Sequence, residues 1–222
     1  MSLDAWSLHE LPGSPGVAFL PPPRVYARPL GGHPLEAHGG YLIRTESLGG
    51  LKLLELARRA LVEDGAPADT QLTVSVYRKR KVVRLALDGP HTAGRRGSHW
   101  YSEHQALARL LSKEAGLTVH SYVYDPQEYE EVMAFGGGQN VGGERLLYDE
   151  VELPECLDGE FDDEAFARMQ ERWPLGHLAW VYGVERDLLL QLHRMPGTRL
   201  GLTGSEPESE RPLEHLLRGI AA

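Results

Sequence analysis

Cysteine is nearly absent from this sequence, since Cys156 is the only one among 222 residues. A single cysteine excludes an intrachain disulfide framework and a zinc site built from several cysteines. No apolar run approaches the roughly 20 residues that cross a bilayer. Residues 1–16 have neither the basic nor the apolar region of a secretory signal. We therefore expect a cytoplasmic protein with no membrane attachment.

Basic residues are the minority: 23 lysines and arginines stand against 32 acidic residues, which gives a net charge of −9 at pH 7. The excess is concentrated from Val151 onward, where fourteen acidic and seven basic residues leave a charge of −7. Such an acidic region argues against general affinity for nucleic acid and favours a basic protein partner. The local exception is a basic stretch that includes Arg78, Arg80, Arg95 and Arg96.

The first part of the chain, residues 1–38, contains many prolines and glycines and shows no sustained hydrophobic periodicity. Because proline fixes φ and removes a backbone donor, this composition predicts an extended segment rather than a helix. Apolar residues within it, such as Trp6 and Phe19, favour contact with the folded part of the chain. We interpret this segment as an N-terminal arm.

The middle of the chain has clear periodicity. Apolar residues at 53, 56, 57, 60 and 61 lie on one face of a helix, and Ser102 with Gln105 fits the capping box of a second helix. Alternating patterns predict four strands, at 41–45, 71–77, 81–87 and 117–124. The order β-α-β-β-α-β predicts an α+β fold of the ferredoxin-like class, an antiparallel sheet with both helices on one face.

The rest of the chain adds a hairpin and then becomes helical. Residues 130–135 and 141–148 are the arms of the predicted hairpin, which extends the sheet. Beyond it, Asp162 has the character of a helix N-cap, and the apolar pattern of 175–193 is broken near Gly183. The predicted organisation is an arm at 1–38, a ferredoxin-like domain with an extra hairpin at 39–153, and an acidic helical subdomain at 154–222.

Four residues around the start of the second helix are candidates for chemistry: His91, His99, Glu103 and His104. Zincin motifs place two histidines at i and i+4 on one helical face, whereas His99 and His104 are five positions apart. We therefore assign neither a metal nor another cofactor from spacing alone. If the loop brings these histidines together, they can transfer protons or ligate a metal while Arg95 and Arg96 hold a phosphate, as in a hydrolase or nuclease.

One face of the predicted sheet carries aromatic and basic side chains. The candidates for binding there are Tyr77, Arg78, Arg80, His120, Tyr122 and Tyr124. On an open sheet, such side chains stack the bases of single-stranded nucleic acid. The alternative is that the arm, the extra hairpin or the C-terminal helices cover this face and bury the tyrosines. Of the two, we favour burial.

The functional interpretation follows from charge and from motifs that fail their structural requirements. The glycine-rich segment 136–143, for example, precedes a predicted strand, whereas a phosphate cradle needs a following helix. We expect a non-catalytic protein-interaction or regulatory module, of the adaptor or toxin-neutralising type, with an acidic face for a basic partner. The alternatives are a hydrolase or nuclease at the histidine cluster and single-stranded nucleic-acid binding on the sheet. The oligomeric state stays open because edge strands permit dimerisation.

Overall fold

The computed structural model describes residues 17–18, 36–44, 50–151, 153–154 and 162–201. The strands are β1 Val17–Ala18, β2 His38–Arg44, β3 Gln71–Tyr77, β4 Val82–Asp88, β5 Val119–Asp125, β6 Tyr129–Gly136, β7 Gln139–Leu147, β8 Leu153–Pro154 and β9 Thr198–Gly201. The helices are α1 Gly50–Glu63, α2 Gly94–Ser98, α3 Trp100–Glu103, α4 Ala106–Glu114, α5 Asp163–Gln170, α6 Pro174–Tyr182 and α7 Arg186–Gln191. Single turns of 3-10 helix lie at Arg78–Arg80, Tyr148–Glu150 and Leu192–Arg194. Within these ranges, no helix combines the length and apolar character that a membrane span requires.

Seven strands form one antiparallel sheet that does not close on itself, in the order β7-β6-β5-β2-β4-β3-β9. Together with the helices it makes a mixed α+β fold. The predicted hairpin of β3 and β4 is confirmed, with Tyr77 opposite Val82 beside the connecting turn. The second hairpin is confirmed as well: β6 and β7 extend the sheet beyond β5. A short ladder of β1 with β8 lies apart from this sheet.

Helices α1 and α4 pack on the same face of the sheet, as predicted. The apolar stripe of α1, which includes Leu53, Leu56 and Ala57, is completely buried there. It meets alternate residues of the central strand, Tyr41 and Ile43. Because side chains of a strand alternate between its faces, the neighbouring residues of the same strand point into a second core.

The second core covers the other face of the sheet. It joins sheet residues such as Leu42 and Tyr122 to residues of the C-terminal helices, including Leu175, Leu178 and Leu189. The face that could have been exposed is therefore buried along the central strands, which is the alternative favoured in the sequence analysis. The reason is the apolar stripe of α6, which needs a surface to pack against.

The start of the second predicted helix differs from the sequence-based expectation. Ser102 is not an N-cap, because it lies inside α3, and Gln105 precedes α4 without a capping side-chain bond. The chain becomes extended at His104, and the Ala106 amide donates to the carboxylate of Asp64, at 3.2 Å from Oδ2. A residue at the end of α1 thus satisfies the donor that a local cap was expected to satisfy.

The predicted boundaries of the C-terminal helices agree with the structure. Asp162 is the N-cap of α5, and its Oδ1 accepts a hydrogen bond from the Ala165 amide at 2.9 Å. Gly183 ends α6 in the left-handed conformation, with φ 65°, which only glycine adopts without strain. Most of the N-terminal arm, Cys156 and the last 21 residues of the chain lie outside the described residues. The three-part division of the chain stays a prediction.

Candidate functional site

The catalytic candidates of the sequence lie in the connection between β4 and α4, and this connection is tied to the end of β4. Thr92 Oγ1 donates to the Leu87 carbonyl at 2.6 Å, and the Leu87 amide donates to the hydroxyl of Tyr101 at 2.9 Å. Gly97 passes so close to Thr92 that a Cβ atom there would lie 2.2 Å from its carbonyl carbon. The positions of the histidines in this segment are therefore set by backbone packing.

The three histidines of this region do not converge on one point. Trp100 lies between two of them: its ring is stacked on His104 with centroids 3.5 Å apart, and His91 meets it edge-on at 4.4 Å. His99 contacts the ring of Tyr129 instead, at 5.2 Å. The shared hydrogen-bonded cluster that a hydrolase needs is thus replaced by an aromatic stack and one separate histidine.

His91 and Trp100 bury polar atoms without partners. Neither ring nitrogen of His91 nor the indole Nε1 of Trp100 has a hydrogen-bond partner in the described part of the chain. Burial lowers the pKa of His91, because desolvation disfavours the imidazolium. Burial likewise raises the pKa of Asp64, and the neighbouring His104 acts in the opposite direction on that carboxyl. A neutral His91 can accept a proton, although no nucleophile in the described structure contacts it.

His99 belongs to a second group, with Asp125 and Glu128, whose possible ligand atoms all lie within 4.8 Å of one another. One imidazole and two carboxylates are ligands that suit a divalent transition metal. Both carboxylates, however, form ion pairs with the guanidinium of Arg95, which lies 2.7 Å from Asp125 Oδ2. The arginine is therefore the cation of this group, and a metal has to displace it.

The remaining catalytic candidates lie at the surface. Glu103 and Arg96 are exposed and take part in neither group. Arg95 is engaged with Asp125, Glu128 and the side chain of Gln127. The predicted phosphate clamp of two neighbouring arginines is therefore not assembled, because one of the pair is occupied by acidic residues from the β5–β6 turn.

The tyrosines proposed for base stacking are in the second core. Tyr122 and Tyr124 are buried, and the Tyr122 hydroxyl accepts a hydrogen bond from Nε of the buried Arg84 at 2.8 Å. His120 Nδ1 lies 2.9 Å from the hydroxyl of Tyr182 on α6, and burial lowers the pKa of His120 to about 4. None of these three rings from β5 offers a face to a nucleic-acid base.

The basic turn of the β3–β4 hairpin is exposed, as a binding role requires. Arg78, Lys79 and Arg80 form one turn of 3-10 helix with no buried residue. Tyr77, which precedes the turn, is partly buried against the second core. Of the predicted binding residues, Arg78 and Arg80 are thus presented to solvent together.

An exposed aromatic residue on α6 was missed by the sequence analysis. Trp180 is 82% exposed and the adjacent Val181 44% exposed, although the other apolar residues of α6 are buried. The signal was present in the sequence: Leu175, Leu178 and Tyr182 define the buried stripe, and Trp180 falls off it. Exposed apolar side chains that lie side by side are more typical of interaction sites than isolated ones.

Trp180 and the basic turn lie at the same end of the sheet. Arg44, the exposed last residue of β2, is opposite Val82, which follows the turn by two residues. The Arg44 Nη2 donates to the Tyr182 carbonyl at 2.9 Å, at the end of α6. We define the basic–aromatic surface as Arg44, Arg78, Lys79, Arg80, Trp180 and Val181. In the described part of the chain, none of its four cations forms an ion pair.

A second feature missed from sequence is a stacked pair of histidines. The rings of His38 on β2 and His193 after α7 are stacked with centroids 3.9 Å apart and an angle of 21° between planes. Each Nδ1 bonds to a backbone carbonyl, and both Nε2 atoms are buried without a partner in the described residues. In nearly parallel rings the Nε2 lone pairs do not converge on one ion, so the stack is not a metal site.

No family model, curated protein or solved structure matches this chain.

Proposed function

We propose that β2, β3, β4 and β5 with α1 and α4 form a ferredoxin-like core. The strand order β5-β2-β4-β3 and the antiparallel pairing of all three neighbours support this assignment. So does the position of α1 between β2 and β3, and of α4 before β5, with both helices on one face. Folds of this class carry many functions, so the function is argued from the surface.

We further propose that the protein is a non-catalytic interaction module that binds a polypeptide through the basic–aromatic surface. The observation that carries this proposal is the exposure of Trp180 beside Val181 on a helix whose other apolar residues are buried. Tryptophan and arginine are the residues that most often dominate binding energy at protein interfaces. The exposure of an indole to water is unfavourable, so its burial against a partner lowers the free energy of the complex.

The charges around Trp180 indicate which partner fits. Arg44 and the turn Arg78–Arg80 add four positive charges to a protein whose net charge is −9. These cations attract an acidic segment and speed its association, while Trp180 and Val181 accept an apolar side chain of that segment. A polypeptide is favoured over nucleic acid because the surface has one exposed ring with an aliphatic neighbour, rather than successive rings on which bases stack.

The proposal is tested with a defined probe: a fluorescein-labelled 12-residue peptide of alternating glutamates and leucines around one phenylalanine. We expect fluorescence anisotropy to show binding that weakens between 50 and 300 mM salt, because exposed charges are screened. We expect Trp180→Ser to weaken binding by about tenfold or more, as for a hot-spot residue. The matched control is Val62→Ser, which replaces another exposed apolar residue, 84% exposed on α1.

Three outcomes contradict the proposal. One is equal binding by the Trp180→Ser and Val62→Ser variants. Another is tighter binding of a peptide in which every glutamate is replaced by lysine. That result supports instead the acidic face predicted in the region from Val151 onward, part of which lies outside the described residues. The third is tighter binding of a labelled oligo(dT) of equal length than of the acidic peptide, which indicates that the surface binds nucleic acid.

A second candidate function, metal-assisted hydrolysis, is favoured by one observation, the group of His99, Asp125 and Glu128. It predicts that calorimetry with Zn²⁺ or Mn²⁺ shows binding that His99→Ala removes, and that a phosphatase and nuclease screen gives activity lost in the same variant. His104→Ala is the control, since His104 is stacked on Trp100 outside this group. The ion pairs of Arg95 place this candidate second.

A further inference from the structure

We infer that His38 and His193 form an acid-sensitive latch, which holds the segment from the last 3-10 turn to β9 against the sheet while both rings are neutral and releases it when either is protonated. This inference goes beyond the proposed function and does not depend on it. It concerns the C-terminal edge of the sheet, whereas the proposed binding surface lies on α6 and the β3–β4 turn.

Hydrogen bonds to backbone carbonyls fix the tautomer of the two rings. His38 Nδ1 lies 2.8 Å from the Glu36 carbonyl, and His193 Nδ1 lies 2.8 Å from the Leu190 carbonyl. Because a carbonyl only accepts hydrogen bonds, each Nδ1 carries the proton and each neutral ring has an unprotonated Nε2. A proton added by acid therefore goes to Nε2, the atom that is buried and without a partner.

A proton on either Nε2 atom places a positive charge in a buried position. The new N–H has no acceptor among the described residues, and a buried charge without a partner is strongly unfavourable. His38 is only 8% exposed. The neighbouring ring, whose centroid is 3.9 Å away, then becomes harder to protonate, because a second proton gives two stacked cations.

The residues around the two histidines add positive charge. Arg84 from β4 and Arg194 from the same 3-10 turn both act against a charged histidine. Tyr122 and Tyr124 from β5 contact His38 through their rings, at 5.9 and 5.5 Å. Among the described residues, the acidic side chain that acts on the pair is that of Glu36, which favours a charged His193 and is exposed. The sum opposes protonation.

The largest of these causes lowers the pKa of both histidines, against smaller opposite effects of the hydrogen bonds to the Glu36 and Leu190 carbonyls. Burial, then the charge of His193, lowers the pKa of His38 well below its ordinary value, and burial lowers that of His193. A histidine whose pKa is lowered by folding stabilises the folded state fully above its unfolded pKa, about 6.5. That stability is lost as the pH falls below 6.5, because only the unfolded or released form then binds the proton.

The segment that the latch releases includes β9, the edge strand of the sheet. The 3-10 turn that carries His193 leads through Met195 to β9, whose four residues pair with β3 at the edge of the sheet. The connection also packs Leu192 and Met195 against the second core, Leu200 of β9 is buried in the first core, and Ser75 Oγ lies 3.5 Å from the Met195 carbonyl. The latch acts together with these contacts. Release of β9 therefore uncovers the edge of β3 over Gln71–Val74, and an uncovered edge pairs with other strands.

Hydrogen exchange on the full chain, followed by mass spectrometry at pH 7.5 and 5.0, tests the latch. After correction for the intrinsic exchange rate, we expect protection of residues 198–201 and 71–74 to fall by about tenfold or more at pH 5.0, equivalent to one unit of pKa. In the variant His38→Phe with His193→Phe, the stack is kept without a titratable nitrogen, and we expect less than a twofold change. His177→Gln, at an exposed histidine of α6, is the control and should behave as the wild type.

A titration of the wild-type histidines by NMR keeps the inference testable if the double variant does not fold. We expect the Hε1 signals of His38 and His193 to titrate below pH 6 over the range in which β9 loses protection. The latch is overturned if either ring titrates while β9 stays protected, or if the double variant still loses protection at pH 5.0. The peptide-binding measurement at pH 7.5 is unaffected by either result, so the two proposals fail separately.

Discussion

Glu130 is a completely buried carboxylate on β6, and donors from three elements surround it. The Arg186 guanidinium of α7 lies 2.5 Å from Oε2, the Leu175 amide of α6 lies 3.1 Å from Oε1, and the Tyr148 hydroxyl lies 3.2 Å from Oε2. A buried charge is tolerated only when it is paired and hydrogen-bonded in this way. This one residue therefore connects the sheet to α6 and α7.

Replacing Arg186 by methionine should destabilise the protein by about 3–5 kcal/mol, because it leaves the charge of Glu130 buried without its cation. Chemical denaturation gives the free energy of unfolding. The double variant Arg186→Met with Glu130→Gln should recover part of the loss, since no buried charge remains. Arg168→Met, which removes an exposed pair with Glu164, should cost less than about 0.5 kcal/mol. Similar losses for the two arginine variants would contradict the role given to Glu130.

At the scale of the element, the two faces of the sheet are closed by helices that begin in different ways. Helix α5 carries its own cap, since Asp162 accepts from the Ala165 amide. Helix α4 takes its cap from Asp64, 42 positions away in sequence. The first is a property of four consecutive residues, and the second exists only once α1 and α4 are packed together.

The cap of α5 gives a prediction for that helix alone. Asp162→Ala should destabilise the protein by about 0.5–2 kcal/mol, because the first-turn amide of Ala165 loses its acceptor. Asp162→Ser keeps a capping oxygen and should lose much less. The measurement is thermal or chemical unfolding, together with exchange protection of α5 relative to α1. Equal losses for alanine and serine would show that the side-chain oxygen does not act as a cap.

At the scale of the whole molecule, buried neutral histidines make stability depend on pH. Burial lowers the pKa of His120 to about 4, so the folded state resists a proton that the unfolded chain accepts below about 6.5. The stability that this residue contributes is present above pH 6.5 and is lost as the pH falls towards 4. The loss has the sign expected for a group whose pKa is lowered by folding.

The variant His120→Gln should flatten the dependence of the unfolding free energy on pH. For the wild type we expect His120 to account for a loss of about 2–3 kcal/mol between pH 7 and pH 4, and the variant should lack that part. At pH 5.0 the His120→Gln variant should still release β9 if the latch of His38 and His193 operates. A wild type and a variant with parallel stability curves between pH 7 and pH 4 would contradict the assignment.

Much of the order and type of the elements follows from local patterns in the sequence. The 3.6-residue spacing of Leu53, Leu56 and Ala57 predicted α1, and alternation predicted both hairpins. Gly183 predicted the break after α6, because only glycine suits that turn. Such features depend on neighbouring residues, and the structure confirms them.

The site depended on contacts between distant parts of the chain. Nothing local indicates that Trp100 separates His91 from His104, that Arg95 neutralises Asp125, or that His38 stacks on a histidine 155 positions later. Side chains at such separations meet only through tertiary packing, which is why the predicted histidine cluster was not assembled. The sequence alone identified candidate residues by their type, and packing of the sheet between its helices decided which of them meet, which are buried and which, like Trp180, remain exposed to solvent.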